Sequence, residues 1–224
     1  DIAKWSKLAY ALKARYALRL TQRDGSTVAA QKALNYLQNS FTSKSDNLAA
    51  TFDGGNNQNL WYGFNNQRAG YMSMGKYFVD ILKNNNDPRL TYFVGLDSHN
   101  PPGYSGSAPE DADTDASPFG NYFSGNASTP NVIFSYSEIK FIEAEAQFRL
   151  GNTTAAQAAL KAAVSASLVD VTGADNPTFA NTASAAVTLQ NIITQKYIAL
   201  FTTIEPYNDW RRTGFPTLTP NQNS

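Results

Sequence analysis

Helical periodicity marks both ends of this chain and is missing from its middle, and that asymmetry limits the available folds more than any other feature. Residues 1–40 and 136–215 carry apolar side chains at the three- and four-residue spacing of amphipathic helices. Residues 41–135 lack that period and are rich in Gly, Asn, Pro and aromatics. A chain of 224 residues fits one domain carrying a long insertion, and it can bury a proper core without staples. The expected fold is mostly α. Helical hairpins from 1–40 and 136–216 form a scaffold, 41–135 is a loop-rich insertion, and 217–224 is a tail.

The first helix is expected to turn Trp5, Leu8, Ala9, Leu12, Tyr16 and Leu20 to one side. A break at Gly25-Ser26 precedes a second helix with Val28, Leu34 and Leu37, and so short a turn predicts antiparallel packing. Ser135, followed three residues later by Glu138, is the signature of a capping box. The helix it opens carries Ile139, Ile142, Ala146 and Leu150 and stops at Gly151, where a left-handed cap suits glycine. Thr153 is positioned to cap the next helix, which turns Ala156, Leu160, Ala163 and Val164 inward. A last stripe joins Leu189, Ile192, Ile193, Tyr197 and Leu200. The Trp5-Leu8-Ala9 opening and the Gly151-to-Ala163 stretch both echo the tetratricopeptide pattern.

Charge narrows the function classes. Eighteen basic residues balance eighteen acidic ones, which leaves no electrostatic footprint for nucleic acid. With no cysteine there are no disulfides, thiolate metal sites or cysteine nucleophiles. Only 16% of residues are charged, so surface polarity comes from Asn, Gln, Ser and Thr, a composition suited to extracellular proteins and sugar ligands. No apolar run reaches the length of a membrane span. The chain opens directly on a helical pattern with no export signal, and upstream residues are expected in the natural protein.

Four segments in order carry a family resemblance. They are WSKLAYALKARYALRL (Trp5 to Leu20), Asp87-Pro88-Arg89-Leu90, YSEIKFIEAEAQFRLG from Tyr136, and Gln195 to Phe201 followed by Asn208-Asp209-Trp210-Arg211-Arg212-Thr213-Gly214-Phe215-Pro216. Together they resemble the SusD/RagB family, in its compact branch. The resemblance implies a non-catalytic outer-membrane lipoprotein that captures glycan, or in some members peptide, for a SusC-like TonB-dependent transporter. Any membrane attachment would be a lipid anchor outside this chain. A tetratricopeptide-like protein–protein adaptor is the alternative. A glycoside hydrolase would instead need two carboxylates facing each other across a cleft.

The foremost ligand candidate is GGNNQNLWYGFNNQ, from Gly54, read as an amide-rich loop. An aromatic plane covers the apolar face of a sugar, and side-chain amides offer both donor and acceptor to its hydroxyls. Trp61 and Tyr62 supply the rings, and Asn57, Asn65 and Asn66 the amides; the other reading of Trp61 is a core residue under a long loop. A second cluster contains Tyr104 and Tyr122, with Phe119 and Phe123. Trp5, Trp210, Arg211 and Arg212 read as structural, with Trp210 docking a helix end and the arginines pairing with scaffold carboxylates or carbonyls.

Asp111, Asp113 and Asp115 alternate like the start of a calcium loop, but Ala116 stands where the turn glycine belongs and Tyr122 where the bidentate glutamate belongs. A solvated acidic loop is one reading of them and a low-affinity Ca2+ site the other; no other cofactor is expected. Glu138, Glu143 and Glu145 share one predicted helix, so they cannot flank a sugar, and capping and surface pairing account for them. His99 has no evident relay partner in sequence.

Overall fold

The computed structural model describes residues 2–109, 111 and 113–220. Its elements run α1 (Ile2–Arg19), α2 (Thr21–Asp24), α3 (Ser26–Leu37), a 3-10 turn (Lys44–Asp46), β1 (Leu48–Ala50), α4 (Leu60–Gln67), α5 (Lys76–Asn84), α6 (Leu90–Phe93), α7 (Asn121–Ser124), β2 (Asn131–Phe134), α8 (Tyr136–Arg149), α9 (Thr153–Thr172), α10 (Pro177–Ala183), α11 (Leu189–Ala199) and α12 (Glu205–Thr213). Helix dominates, and β1 pairs with β2 in a two-stranded sheet.

The chain forms two compact units, one built on the residues up to Leu48 with Val132–Thr217, the other on Ala49–Asn131. Loop-like texture in the sequence begins earlier and ends later, because residues near 41–48 and 132–135 are bound into the helical unit. Phe41 meets Phe134 edge-on with centroids 5.5 Å apart. Asp46 takes both a 2.8 Å bond from Lys7 Nζ and the Thr42 N–H, and these donors, Lys7 first, hold its carboxyl down at about 2. Asn47 Oδ1 accepts from the Tyr136 N–H at 2.7 Å.

In the helical unit α1 packs on α3, α3 on α8, α8 on α9, and α11 on α8. The face that α1 buries overlaps the expected one at Leu8 and Leu12 but not at Trp5 and Tyr16. Leu8, Ala11, Ala14, Ala17 and Leu18 are buried, whereas Trp5 is 63% and Tyr16 49% exposed. On α3 the buried residues are Ala29, Ala30 and Ala33, while Val28 stays exposed. Alanine lets two helix backbones approach closely, so the small residues set the contact face and the large rings turn outward. At α8 the Ser135 cap and the Gly151 stop hold, while the Glu138 carboxylate turns to Arg15 and leaves the box half made. Ser135 Oγ accepts from the Glu138 N–H at 3.1 Å, and Gly151 takes φ +79°. In the next helix Asn152, not Thr153, occupies the N-cap position, and its side chain makes no cap bond but donates to Gln147 Oε1 at 2.8 Å.

Glu138 and Glu145 are buried rather than on the surface. Arg15 grips Glu138 with two 2.7 Å bonds. Glu145 is shared by Arg212 and Arg149, while Asp209 takes Arg212 at 2.7 Å and Lys196 at 2.9 Å. Burial pushes the Glu138 carboxyl up, and Arg15 only partly reverses this, so it ends above its ordinary value. Burial also raises Glu145, but Arg212 and then Arg149 pull harder, and it ends below. The second arginine of the pair, Arg211, is exposed and lies over the Tyr207 ring at 5.8 Å. Trp210 is 41% exposed and stacks on Tyr207 rather than docking the helix end.

The second unit closes without long helices. Phe78 and Phe93 are fully buried, with centroids 5.8 Å apart. The Asp87-Pro88-Arg89 segment forms a buried fork, in which Arg89 Nε and Nη2 reach the two Asp87 oxygens at 2.9 and 2.6 Å. Backbone bonds tie its loops together, including Met74 N–H to Ser117 O at 2.8 Å and Gly120 N–H to Phe93 O at 2.8 Å. Two crossings need glycine. A Cβ at Gly106 would lie 2.5 Å from Lys76 Cα, and one at Gly120 2.3 Å from Tyr92 O.

Candidate functional site

Gly54 to Asn66 is only partly a loop. Asp53 Oδ1 accepts from the N–H groups of Gly55 and Asn57, closing a turn. From Leu60 onward the chain is helical. The cause is Asn59, which is buried and caps α4: its Oδ1 accepts from the Tyr62 N–H at 3.0 Å, and its Nδ2 donates to Thr129 O at 2.8 Å. An asparagine here satisfies a helix-start donor and anchors the neighbouring segment at once.

The helix changes how the candidates are presented. Residues four apart lie on one side of a helix, so Asn65 follows Trp61 by one turn and Asn66 follows Tyr62. Each aromatic ring thus has a side-chain amide beside it along the axis. Trp61, Tyr62 and Asn65 are half-buried; Asn57 and Asn66 are exposed. Leu60 and Phe64, also one turn apart, are 77% and 43% exposed. The Leu60–Phe64 spacing was readable as one helical face, but the run of amides around it reads as loop.

Trp61 does not stand alone. It stacks on Phe119 with centroids 5.5 Å apart and an interplanar angle of 26°. Phe119 meets Phe123 edge-on at 5.9 Å, and Phe123 stacks on Phe93 at 5.3 Å. Tyr122 sets its edge against Phe93 and Phe123 at 5.3 and 5.0 Å. The two sequence clusters therefore form one aromatic assembly, with α4 packed on α7 and Trp61 and Tyr122 both half-buried. Phe93, at the centre of that assembly, gave no functional signal in the sequence. Tyr104 is half-buried in a separate loop, where its carbonyl accepts from Lys83 Nζ at 2.7 Å. No ring contact joins Tyr104 to the assembly among the described residues.

The acidic run behaves differently from a calcium loop. Asp113 and Asp115 gather with His99, their ligand atoms all within 4.8 Å of one another, and Asp111 is exposed and does not join them. His99, which has no visible partner in the sequence, lies between Asp97 and Asp113. The helix glutamates are engaged by basic side chains. Glu138 and Glu145 are held by arginines, and Glu143 pairs with Lys140 at 2.7 Å. No helix among the described residues is long and apolar enough to cross a membrane.

Chemically, the α4–α7 assembly offers partly exposed ring surface on a rigid aromatic base, with neutral amides one turn away. That combination suits a ligand with apolar faces edged by hydroxyls.

Comparison with known proteins gives the same direction. Residues 1–224 match the SusD-like family model described as starch-binding and associating with the outer membrane. A SusD/RagB family protein from Bacteroides thetaiotaomicron is similar at 30% identity and TM-score 0.79, over 98% of this chain and 56% of that one. A chitin-binding protein is similar at 28% identity and TM-score 0.77, over 100% and 55%. A SusD homologue from Bacteroides vulgatus is similar at 25% identity and TM-score 0.84, over 98% and 52%. The chain thus spans little more than half the length of these solved relatives. No curated protein matches the sequence.

Proposed function

Because the chain belongs to the SusD-like family, we propose that it captures oligosaccharide at the outer-membrane surface and passes it, uncleaved, to a SusC-like TonB-dependent transporter. A lipid anchor outside this chain holds the protein to the membrane. The observation that carries the reading is the pairing of partly exposed rings with amides on α4, set on the Phe119–Phe123–Phe93 base. Trp61 stacks on a sugar face, Asn65 and Asn66 bond neighbouring hydroxyls, and Tyr62 and Tyr122 extend the apolar surface. Tyr104 and Asn57 contribute from the flanking loop and turn.

Two further observations support it. Glu138 and Glu145, the carboxylates that could suggest hydrolysis, are buried and engaged by arginines on the scaffold. A relative of 28% identity bears the name chitin-binding protein, which makes chito-oligosaccharides the first ligands to try and malto-oligosaccharides the second. A glycan array, followed by a reducing-sugar assay on each glycan bound, tests the reading. Binding without release of reducing ends is expected. Binding of peptides in place of every glycan would move the chain to the peptide-capturing class, and sustained release lost in a single carboxylate variant would end the passive reading.

A further inference from the structure

The chain contains one histidine, and its ring stands between carboxylates in the second unit. His99 Nδ1 is 3.4 Å from Asp97 Oδ2, and His99 Nε2 is 3.7 Å from Asp113 Oδ2. Asp115 completes a group whose ligand atoms lie within 4.8 Å of one another. We propose that His99, Asp113 and Asp115 bind one divalent transition-metal ion of the zinc class, with Asp97 orienting the imidazole from behind.

The geometry carries this in three ways. Asp97 and the loop after it are fixed before any ion arrives. Asp97 is buried, its Oδ1 accepts from the Gly103 N–H at 2.8 Å, and its own N–H donates to Gly103 O at 2.9 Å. The segment bearing the acids is registered against that loop by the Ser98 N–H, which donates to Asp115 O at 2.9 Å, while the Asp115 N–H donates to Asp113 Oδ1 at 3.0 Å. Finally, the two ring nitrogens have separate surroundings. A carboxylate behind Nδ1 favours the tautomer with the proton on Nδ1, leaving Nε2 as a lone-pair donor toward Asp113. This is the outer-shell arrangement that orients metal-binding imidazoles.

The distances fit a site that tightens on binding. In a tetrahedral zinc site with bonds of about 2.1 Å, ligand atoms sit about 3.4 Å apart. The Nε2–Oδ2 separation of 3.7 Å is close to that, and His99 and Asp115 are exposed enough to adjust. One imidazole with two carboxylates suits zinc better than calcium, which prefers an all-oxygen shell. The ion would join the 97–103 loop to the 113–115 segment and steady the turn that leads into Tyr104.

The test is calorimetric titration of Zn2+ into chelator-treated protein, with the His99 imidazole signals followed by NMR in parallel. One equivalent is expected, and the sole histidine's signals should shift in step with the heat. His99→Ala and Asp113→Ala should each weaken binding by well over tenfold, Asp97→Asn, behind the ring, by about tenfold, and Asp111→Asn should change nothing. Helical circular dichroism of each variant checks that the fold is kept. Equal zinc affinity in His99→Ala would overturn the proposal. So would an imidazole signal unmoved at one equivalent of zinc, or Ca2+ binding that zinc does not displace.

Discussion

The helical unit closes with alanine and buried charge, whereas the second unit closes with aromatic rings and backbone crossings. Ala11, Ala14 and Ala17 on α1 and Ala29, Ala30 and Ala33 on α3 bring helices together, and Arg212 holds the buried carboxylates of Glu145 and Asp209. In the second unit Phe93 and Phe123 are buried while their neighbours Trp61, Phe119 and Tyr122 remain half-exposed. The lesson concerns where each unit has surface to spare. Alanine faces and satisfied ion pairs use up what they bury, whereas a cluster of rings can bury its centre and still offer its outer members to a ligand.

The largest effect should come from breaking the charge network. Arg212→Ala removes the partner that Glu145 and Asp209 share and leaves Glu145 to Arg149 and Asp209 to Lys196, so the loss should fall toward the lower end of the about 3–5 kcal/mol that breaking a buried ion pair costs. Urea unfolding would show it as a fall in midpoint. Arg212→Lys should recover little, because an ammonium cannot repeat the fork that reaches both acids. A loss below about 1 kcal/mol would show that the network does not close this unit.

In the second unit Phe93→Ala should cost about 3 kcal/mol, toward the lower end for a buried phenylalanine, since half-exposed rings around it can settle inward. Glycan affinity should fall with it, because Trp61 rests on the base that Phe93 centres. Stability lost with affinity unchanged in the folded fraction would separate the aromatic base from the site.

Much of the helical unit was legible because capping and glycine signals are local. Ser135 caps α8 and Gly151 ends it as their chemistry requires, although the Glu138 carboxylate goes to Arg15 instead of completing the box. The burial of α1 was not, since the choice between an aromatic stripe and an alanine stripe depends on what faces it, and that partner lies on α3 and α8. Burial of Glu138 and Glu145 was hidden for the same reason, as Arg15 is 123 residues from Glu138 in sequence. In the second unit the residue types of the candidate site were readable, but its shape was not. Asn59 caps α4 through the Tyr62 N–H, and its second bond, to Thr129 O 70 residues on, fixes it in a way no local pattern shows.

The smallest effect is in pH. Glu145 and Asp209 are held below their ordinary values, so in the unfolded chain they bind protons more readily. Their contribution is present above the unfolded carboxylate range and is lost as the pH falls through the folded values. Glu138 is held above its ordinary 4.5, so the folded chain binds its proton more readily, and this contribution is present below 4.5 and lost as the pH rises through the folded value. Melting temperatures against pH should therefore show a flattened acid limb for Glu145→Gln, while Glu138→Gln should remove a decline above about 4.5. Identical profiles for the two would show that one helix does not shift two glutamates in opposite directions.

Trp61 tests the central claim most directly, by calorimetric titration of chito- and malto-oligosaccharides into wild-type protein and Trp61→Ala, with thermal melts on the same samples. Loss of a stacked aromatic at a binding hot spot costs about 1–3 kcal/mol, or roughly 5- to 150-fold in affinity. Capture on α4 predicts glycan binding by the wild type, a weakening of that size in Trp61→Ala, and a melting temperature that moves little. A Trp61→Ala protein that melts far lower while its folded fraction binds as tightly as wild type would contradict it.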